Sequence, residues 1–576
     1  MKLIAQNFKG HYREIILGPL FKLLEAILEL LVPLVMANII DVGIRNGDAA
    51  YVVKNGVIML VLAVLGAASA MVCQYFAAVA AGHFGRRLRK QVYHHVLSLS
   101  QAQLEEFGAG GLITRLTNDT NQIQNGVNMA IRLGSRIPFL AVGSIVMSFI
   151  INWKIGLVFL LSTPFIVLVL YLIMKRTVPR YSEIQQNQDI LSRLSGENLE
   201  GTRVIRAFSR QQQEQEDFEK AGDAMSNITV RVGKISAALN PITTLIVNLA
   251  IVAIVWLGAR LAFNAASQPG QIIALVNYMN QTLLALIMAA NLTVLFTRAL
   301  ASTKRVAQVL QTQPSIVNGP GATEVTGAPA IAFNQVSFAY HQGGEAVLED
   351  ISFTVAQGQT VGIIGGTGSG KTTLAALIAR NYDVTSGEVL VNGVSVKQYA
   401  LHVLRAKIGM VPQKAALFSG SVRRNLTLGA PTATDEEIWQ ALQTAQGADF
   451  VKNLPGGLDA IIEEGGKNLS GGQKQRLTIA RALVRRPQIL ILDDSSSALD
   501  YATDAALRRA LKEDTQTMTT IMISQRAASI KNADLILVLD DGKLAGMGKH
   551  RQLLQTSSVY HEICASQGMA EPEVTP

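Results

Sequence analysis

Only two cysteines occur in 576 residues, Cys73 inside an apolar run and Cys564 near the C-terminus. Two cysteines so placed supply neither a disulfide framework nor a metal cluster. No His- or Cys-rich tract stands elsewhere, which excludes a metal-handling segment of that kind. Charge is scarce too: Asp, Glu, Lys and Arg make up 16% of the chain, against roughly 25% in an ordinary soluble domain. Hydrophobic residues make up 49%, and the mean hydropathy is +0.28. That balance excludes disorder, a collagen-like repeat and a wholly soluble enzyme. Internal repeats and low-complexity tracts are absent. A secretory signal is not expected, because the amphipathic stretch from Met1 to Lys9 runs into an apolar segment too long for a signal's core. No peptidase segment or early cysteine nucleophile precedes that segment, so leader-peptide processing is not expected either.

At roughly 150 residues per domain the length allows about four domains. Up to about residue 310, apolar runs at about 15–40, 56–81, 136–151, 155–175, 241–265 and 271–297 predict six spanning helices. Most reach the roughly 20 residues that a bilayer crossing requires. The third is short unless its helix begins near Asn125. Charge orients them. The brief connections hold Arg45, Lys54, Lys154 and Arg260, whereas segment 82–120 holds Arg86, Arg87, Arg89, Lys90 and Arg115. Ten more Lys or Arg stand from Lys175 to Lys234. The net charge of +9, 51 basic minus 42 acidic residues, therefore follows topology, and a nucleic-acid surface is not implied. By the positive-inside rule the long connections and both termini are expected in the cytoplasm. The long connections 82–135 and 176–240 carry apolar residues at helical spacing, as in Leu112 to Asp119 and Leu199 to Phe208. The spanning helices are therefore expected to continue beyond the bilayer.

Residues 311–329 are rich in Pro, Gly and Thr and read as a linker. Residues 330–576 then alternate strand-like and helix-like segments, which predicts an α/β domain. Strands are expected at 351–355, 360–364, 387–391, 489–492, 519–523 and 535–539, with helices at 371–380 and 471–484.

Gly365, Gly366, Thr367, Gly368, Ser369, Gly370, Lys371 and Thr372 fit the pattern G-x-x-x-x-G-K-[ST] between a predicted strand and a predicted helix. Glycines let backbone N–H groups turn toward phosphates, and the helix N-terminus adds a favourable field. Lys371 is expected to reach the β- and γ-phosphates and the Thr372 hydroxyl to ligate Mg²⁺. About 100 residues later, Leu469, Ser470, Gly471, Gly472 and Gln473 open a second helix, just before the apolar run that ends at Asp493. Two phosphate-binding helix ends in one chain suggest a nucleotide held between two copies of the domain.

With these motifs the chain resembles bacterial ABC exporter half-transporters: an α-helical membrane domain with six transmembrane helices extending into the cytoplasm, followed by an α/β P-loop ABC ATPase domain. The likeness spans essentially the whole length. It implies domains at 1–310 and 330–576. It implies that Tyr340 stacks on adenine, that Gly365 to Thr373 is Walker A, and that Gln413 senses Mg²⁺ and the membrane domain. By the same resemblance Leu469 to Gln473 is the signature facing a partner's ATP, Asp493 is the Walker B aspartate, and Ser497, Ala498, Leu499 and Asp500 form the D-loop. Thr372, Gln413 and Asp493 would hold the metal. Coupling helices are implied near Glu105–Gly111 and Phe208–Gln213. The cofactors implied are ATP and Mg²⁺, and the partners a second half-transporter chain, membrane lipid and a small-molecule substrate.

Two positions depart from the family pattern. The glutamate that follows Walker B is here Asp494, and the switch histidine is here Gln525. Aspartate is shorter by roughly 1.3 Å, and about 1 Å of misplacement can cost on the order of 100-fold in rate. Glutamine still donates a hydrogen bond but does not titrate near neutral pH. Both changes weaken hydrolysis and leave binding groups in place. The resemblance then implies the degenerate subunit of a heterodimeric exporter, whose intact signature serves a competent partner. The competing readings are a homodimer that tolerates Asp and Gln, and a regulatory ATP-binding subunit that never turns over.

The cargo is less legible. Glu25 and Glu29, one turn apart within the first apolar run, are candidates to attract cationic drugs. They equally fit pairing with Arg or Asn on a neighbouring helix. Asn277, Gln281 and Asn291 share a helix face with Leu284 and Met288, a mixed stripe that suits either a broad cavity or helix packing. An amphipathic drug is the leading cargo, a peptide or lipid the alternative.

Overall fold

The computed structural model describes residues 12–263, 267–321, 324–341, 343–514 and 517–569. The stretch from Met1 to Lys9 and the last two residues of the fifth expected span, 264 and 265, lie outside them. The chain divides into two compact units. One comprises Met1–Leu97 and Ala109–Thr312, the other Ser98–Gly108 and Gln313–Pro576.

Among its described residues the first unit is built on six long helices: α1 (Tyr12–Ile44), α2 (Ala49–Ser98), α3 (Ala109–Ile151), α4 (Trp153–Glu200), α5 (Gln211–Ala262) and α6 (Pro269–Gln311). Each holds a stretch long and apolar enough to cross a membrane. Five of them run to 43 residues or more, about twice what the hydrocarbon core requires, so they continue past it as the spacing predicts. The third span begins far earlier than residue 136. Between Thr120 and Leu133, Ile123, Val127 and Ile131 are buried at intervals of four while polar residues fill the other face. Average hydropathy therefore conceals this part of α3. A turn at Gly134 and Ser135 breaks the helix before its apolar half.

Packing in this unit rests on apolar and small residues. Ala26, Leu30, Leu140, Phe159, Ile166 and Tyr278 form one core. Ala77, Ala80, Ala81, Phe84, Ile123 and Val306 form another, where alanines let α2, α3 and α6 approach. At the start of α6, buried Asp41 accepts the N–H groups of Gly270 at 2.6 Å and Gln271 at 3.1 Å, capping the helix with a negative charge. A Cβ on Gly270 would come within 2.5 Å of Ala37 O, so only glycine permits this approach of α1 and α6.

Among the described residues the second unit contains twelve strands in chain order: β1 (Ile331–Phe338), β2 (Leu348–Val355), β3 (Thr360–Gly365), β4 (Ser386–Val391), β5 (Val394–Ser395), β6 (Ile408–Val411), β7 (Gly420–Ser421), β8 (Ile461–Ile462), β9 (Ile489–Asp493), β10 (Thr519–Ile523), β11 (Leu535–Asp540) and β12 (Lys543–Gly548). One antiparallel sheet has the order β2-β1-β4-β5, and a six-stranded sheet has the order β12-β11-β3-β10-β9-β6. The second is parallel from β11 to β6. Its central strands are buried on both faces, which is why Ile489 to Leu492 reads as an unbroken apolar run. Helix α7 (Lys371–Ile378) follows β3, two residues shorter than expected, and α8 (Gly471–Val484) precedes β9. All six expected strands fall within observed ones. The sequence reading passed over β1, β6, β12 and the short helices between residues 401 and 452.

Residues 312–330 form no regular element among those described, yet several of them are held by bonds to the second unit's residues 398–407. Gly319 N–H donates to Tyr399 O at 2.9 Å, Gly321 N–H to Gln398 O at 3.0 Å, and Glu324 pairs with Lys407 at 2.6 Å. The turnarounds lie close to the expected windows but start earlier. Short helices occupy Gln101–Phe107 and Thr202–Ala207, and each window covers the turn that follows. A Ser100–Gln103 capping box starts the first, and Gly108, at φ +67, ends it.

Candidate ATP site

The loop from β3 to α7 is shaped by close approaches. A Cβ on Gly365 would lie 2.1 Å from Leu539 O, and Gly370 stands at φ +93 with Leu348 Cδ2 2.6 Å from where its Cβ would be. Lys371 folds back over the loop it follows. Its ammonium donates to Gly365 O at 3.1 Å, to Ser369 Oγ at 3.2 Å and to Gly366 O. The side chain is mostly enclosed, with 8% exposure. Burial pushes its pKa down, while Asp494 and Asp493 pull it back up.

At the strand ends opposite this loop, Thr372 Oγ1 donates to Asp493 Oδ1 at 3.1 Å. Gln413, just after β6, donates its amide to Asp494 Oδ2 at 3.2 Å. Burial raises the pKa of both aspartates. The Thr372 bond lowers Asp493, and the Gln413 amide and Gln525 backbone N–H lower Asp494. Asp494 holds φ +44 and donates its N–H to Ile523 O at 3.0 Å, a conformation Asp and Asn tolerate better than longer side chains. Tyr340, 43% exposed, shares a 2.8 Å hydrogen bond with the Thr373 hydroxyl and leaves its ring at the surface.

Of the expected residues, Tyr340, Thr367, Gly368, Gly370, Lys371, Thr372, Thr373, Gln413, Asp493, Asp494 and Gln525 line one cavity of about 310 Å³, together with Val347 and Ile523, which sequence reasoning did not single out. Gly365, Gly366 and Ser369 stand behind it and hold Lys371. The hydroxyl of Thr372, the carboxylate of Asp493 and the amide oxygen of Gln413 are hard oxygen donors, a set that suits Mg²⁺.

The residues from Leu469 to Gln473 do not line that cavity. Ser470 caps α8: its Oγ accepts Gln473 N–H at 3.3 Å, and Gln473 Oε1 accepts Ser470 N–H at 2.8 Å. Ser470 and Gly471 are exposed, so the free N–H groups of this helix end face outward. The segment Ser497 to Asp500 lies beside them, since a Cβ on Gly472 would stand 3.2 Å from Ala498 O. The signature and D-loop segments thus share one outer surface.

In the first unit, Glu25 and Glu29 are paired. Lys22 donates to Glu25 at 2.6 Å, and Arg136 reaches Glu29 at 2.9 Å and stands 3.9 Å from Glu25. Of the two fates open to these carboxylates, the structure shows pairing with a neighbouring helix. Asn277, Leu284, Met288 and Asn291 form an exposed stripe on α6, with Asn277 bonded back to Ile273 O at 3.2 Å. Gln281 Oε1 is buried with no hydrogen-bond partner among the described residues.

Residues 15–286 match the family described as ABC transporter transmembrane region, and residues 348–497 match the family described as ABC transporter. An uncharacterized ABC transporter ATP-binding protein of Mycobacterium tuberculosis is 36% identical over 99% of this chain and 98% of its own length. A probable multidrug resistance ABC transporter ATP-binding/permease protein of Bacillus subtilis is 33% identical over 82% of this chain and 81% of its own. An ATP-dependent lipid A-core flippase of Chromobacterium violaceum is 29% identical over 98% and 96%. The solved structure of a bacterial Atm1-family ABC exporter with ATP bound has the same fold, with a TM-score of 0.79, 24% identity and 99% coverage of both chains. The chain belongs to the ABC transporter family, as an exporter-type half-transporter in which six membrane-crossing helices precede an ABC ATPase domain.

Proposed function

We propose that this chain is one subunit of a heterodimeric exporter in a bacterial cytoplasmic membrane, with both termini in the cytoplasm, moving amphipathic small molecules outward. The membrane domain comprises residues 1–310 and the nucleotide-binding domain 330–576, joined by the linker 311–329. The division of the ATP machinery calls for a second chain, and Asp494 and Gln525 in the cavity carry the reading that this chain is a different one. One cavity gathers Lys371, Thr372, Asp493, Asp494 and Gln525, whereas Ser470 and Gly471 stand exposed on a different surface. A lone chain cannot place both on one nucleotide, so a second chain must bring a signature to this cavity and receive this one.

In this reading the chain's own site binds ATP well and hydrolyses it slowly. Tyr340 stacks on adenine, the backbone from Gly366 to Gly370 surrounds the phosphates, and Lys371 exchanges its loop carbonyls for phosphate oxygens. Mg²⁺, when bound, would neutralise phosphate charge, held by Thr372, Asp493 and Gln413. Asp494 orients water from a position one methylene short, and Gln525 donates to the γ-phosphate without a proton to give. The partner's site, completed by Ser470 to Gln473, carries most turnover. The helices at Gln101–Phe107 and Thr202–Ala207 with their following turns act as coupling elements.

The 33% identical relative named for multidrug resistance supports a drug-like cargo, as does the mixed stripe on α6. The relative named a lipid A-core flippase supports a lipid instead. Glu25 and Glu29, being paired, serve cargo only where a cation displaces Lys22 and Arg136. The deciding experiment is the subunit composition of the complex extracted from its native membrane in mild detergent. A second chain of similar size in equal amount supports the heterodimer. This chain alone removes it and assigns slow hydrolysis to both sites.

A further inference from the structure

We infer that Gln567 is a positioning residue for ATP hydrolysis, its side-chain amide fixing the backbone of the loop that presents Gln525 to the ATP cavity. The inference rests on the reading of Gln525 as the γ-phosphate contact. It concerns a residue outside every motif, some 40 positions from that loop.

The loop Ser524 to Ala527 follows β10. Gln567 Nε2 donates to Gln525 O at 2.8 Å, and Gln567 Oε1 accepts the Ala527 N–H at 2.8 Å. One amide therefore grips the loop on both sides of Arg526. Its orientation is fixed, because a carbonyl must meet the NH₂ group and an N–H must meet the oxygen. The grip is anchored well. Gln567 follows α9 (Ser558–Ser566), whose Tyr560 is fully buried and lies 2.8 Å from His550 Nδ1, and whose Cys564 is fully buried.

What the amide holds is chemically placed. Gln525 lines the ATP cavity beside Asp494, and its backbone N–H acts on the Asp494 carboxyl to lower its pKa. Within the same loop, Ser524 N–H donates to Ile363 O at 3.1 Å on the strand leading to the P-loop, and Arg526 N–H to Ser524 Oγ at 3.0 Å. Arg526 then lays its guanidinium 5.0 Å over the Tyr501 ring, one residue past the D-loop. Releasing Gln567 would leave Gln525 O and the Ala527 N–H without this partner, so that the loop is held only by the bonds of Ser524 and Arg526 and by those that Ser529 N–H and Lys531 N–H donate to Arg526 O and Ala527 O. A shift of about 1 Å in Gln525 relative to Asp494 is enough to cost on the order of 100-fold in rate, while adenine and α/β-phosphate contacts lie elsewhere.

The test uses the full-length chain in its native complex, comparing Gln567→Ala and Gln567→Glu with the unmodified protein. Glutamate keeps the acceptor for Ala527 and sets an oxygen against Gln525 O. Three quantities are read: deuterium exchange at the Ala527 amide, ATP affinity at this chain's site, and phosphate release from that site with the partner's site inactivated. The expected result is exchange at least about tenfold faster in Gln567→Ala, phosphate release down by about tenfold or more in both variants, and ATP affinity within about twofold. Unchanged exchange overturns the clamp. Equal losses of affinity and turnover, or a collapse of thermal stability in both variants, make Gln567 a structural residue and overturn the inference as well. Gln525→Ala is measured alongside. Unchanged turnover there overturns the reading of Gln525 itself, whereas the Ala527 exchange tests the clamp independently.

Discussion

Gln413 donates its amide to Asp494 Oδ2 at 3.2 Å, joining the end of β6 to the residue that follows β9. The carboxylate that we propose orients water is thus already bonded. Asp494 is also anchored through its own N–H to Ile523 O, so its short side chain has little reach left. Binding and hydrolysis are separable here, since Lys371, Thr372 and Asp493 depend on neither bond.

Restoring reach and a titratable switch should therefore restore turnover. Asp494→Glu combined with Gln525→His is expected to raise phosphate release from this site by about tenfold to 100-fold with ATP affinity nearly unchanged. The positive φ of Asp494 sets a limit, because glutamate tolerates that backbone less well and a stability loss of roughly 1 kcal/mol is expected. Single-site phosphate release with the partner's Walker B residue inactivated provides the measurement. Turnover that stays flat in the double variant would sink the geometric account of slow hydrolysis.

The two aspartates also make a pH prediction. Burial raises the pKa of Asp493 above its ordinary 3.8, with Asp494 raising it further. A carboxyl raised in the folded state stabilises the fold below its ordinary pKa and loses that contribution as pH rises through the folded value. Near neutrality the nucleotide-free site therefore carries a destabilising charge. Asp493→Asn keeps an acceptor for Thr372 and removes the charge. The nucleotide-free protein is expected to melt a few degrees higher at pH 7, about 2–4 °C for each kcal/mol regained, with the gain shrinking toward pH 4. Its stabilisation by ATP with Mg²⁺ should vanish. A gain that persists unchanged at pH 4 would mean the charge is not its source.

Much of the ATP site was legible because its chemistry is local in sequence: a strand, a glycine loop and a helix read in order from Val361 to Thr373. Strands buried on both faces, such as Ile489 to Leu492, were legible for the same reason. Contacts made across long separations left no local signal. Arg136 meets Glu29 from 107 residues away, and Gln567 meets Gln525 from 42. Each looks like an ordinary polar residue in its own neighbourhood. The Ser100–Gln103 and Thr434–Glu437 capping boxes gave usable signals that were passed over, and they would have placed the first turnaround helix and the helix Asp435–Thr444.

The surface shared by the signature and the D-loop carries a prediction about which site fails. Ser470→Arg puts a long cation on the outer end of α8 without touching the cavity of Lys371 and Asp493. ATP affinity of this chain's own site is expected to hold within about twofold, while turnover of the whole complex falls by about 100-fold. Equilibrium nucleotide binding and total phosphate release separate the two. If the complex keeps its turnover, this signature serves no productive site.

Asp119 and Arg305 make the sharpest stability test in the membrane unit. Asp119 is 1% exposed and accepts from Ser302 Oγ at 2.9 Å and from two nitrogens of Arg305, whereas Arg305 is 51% exposed. The pair ties α3 to α6, but its members are not equivalent. Arg305→Ala strands a buried carboxylate with one hydroxyl donor, which is expected to cost about 3–5 kcal/mol. Asp119→Ala frees a guanidinium that already reaches water, so the loss is the hydrogen bonds and some packing, about 1–3 kcal/mol. Removing both should cost less than removing Arg305 alone, because no charge is then left buried without a partner. Thermal unfolding of the three variants in the same detergent ranks them. Asp119→Ala proving as costly as Arg305→Ala would mean that packing at this crossing, and not the buried charge, holds α3 against α6.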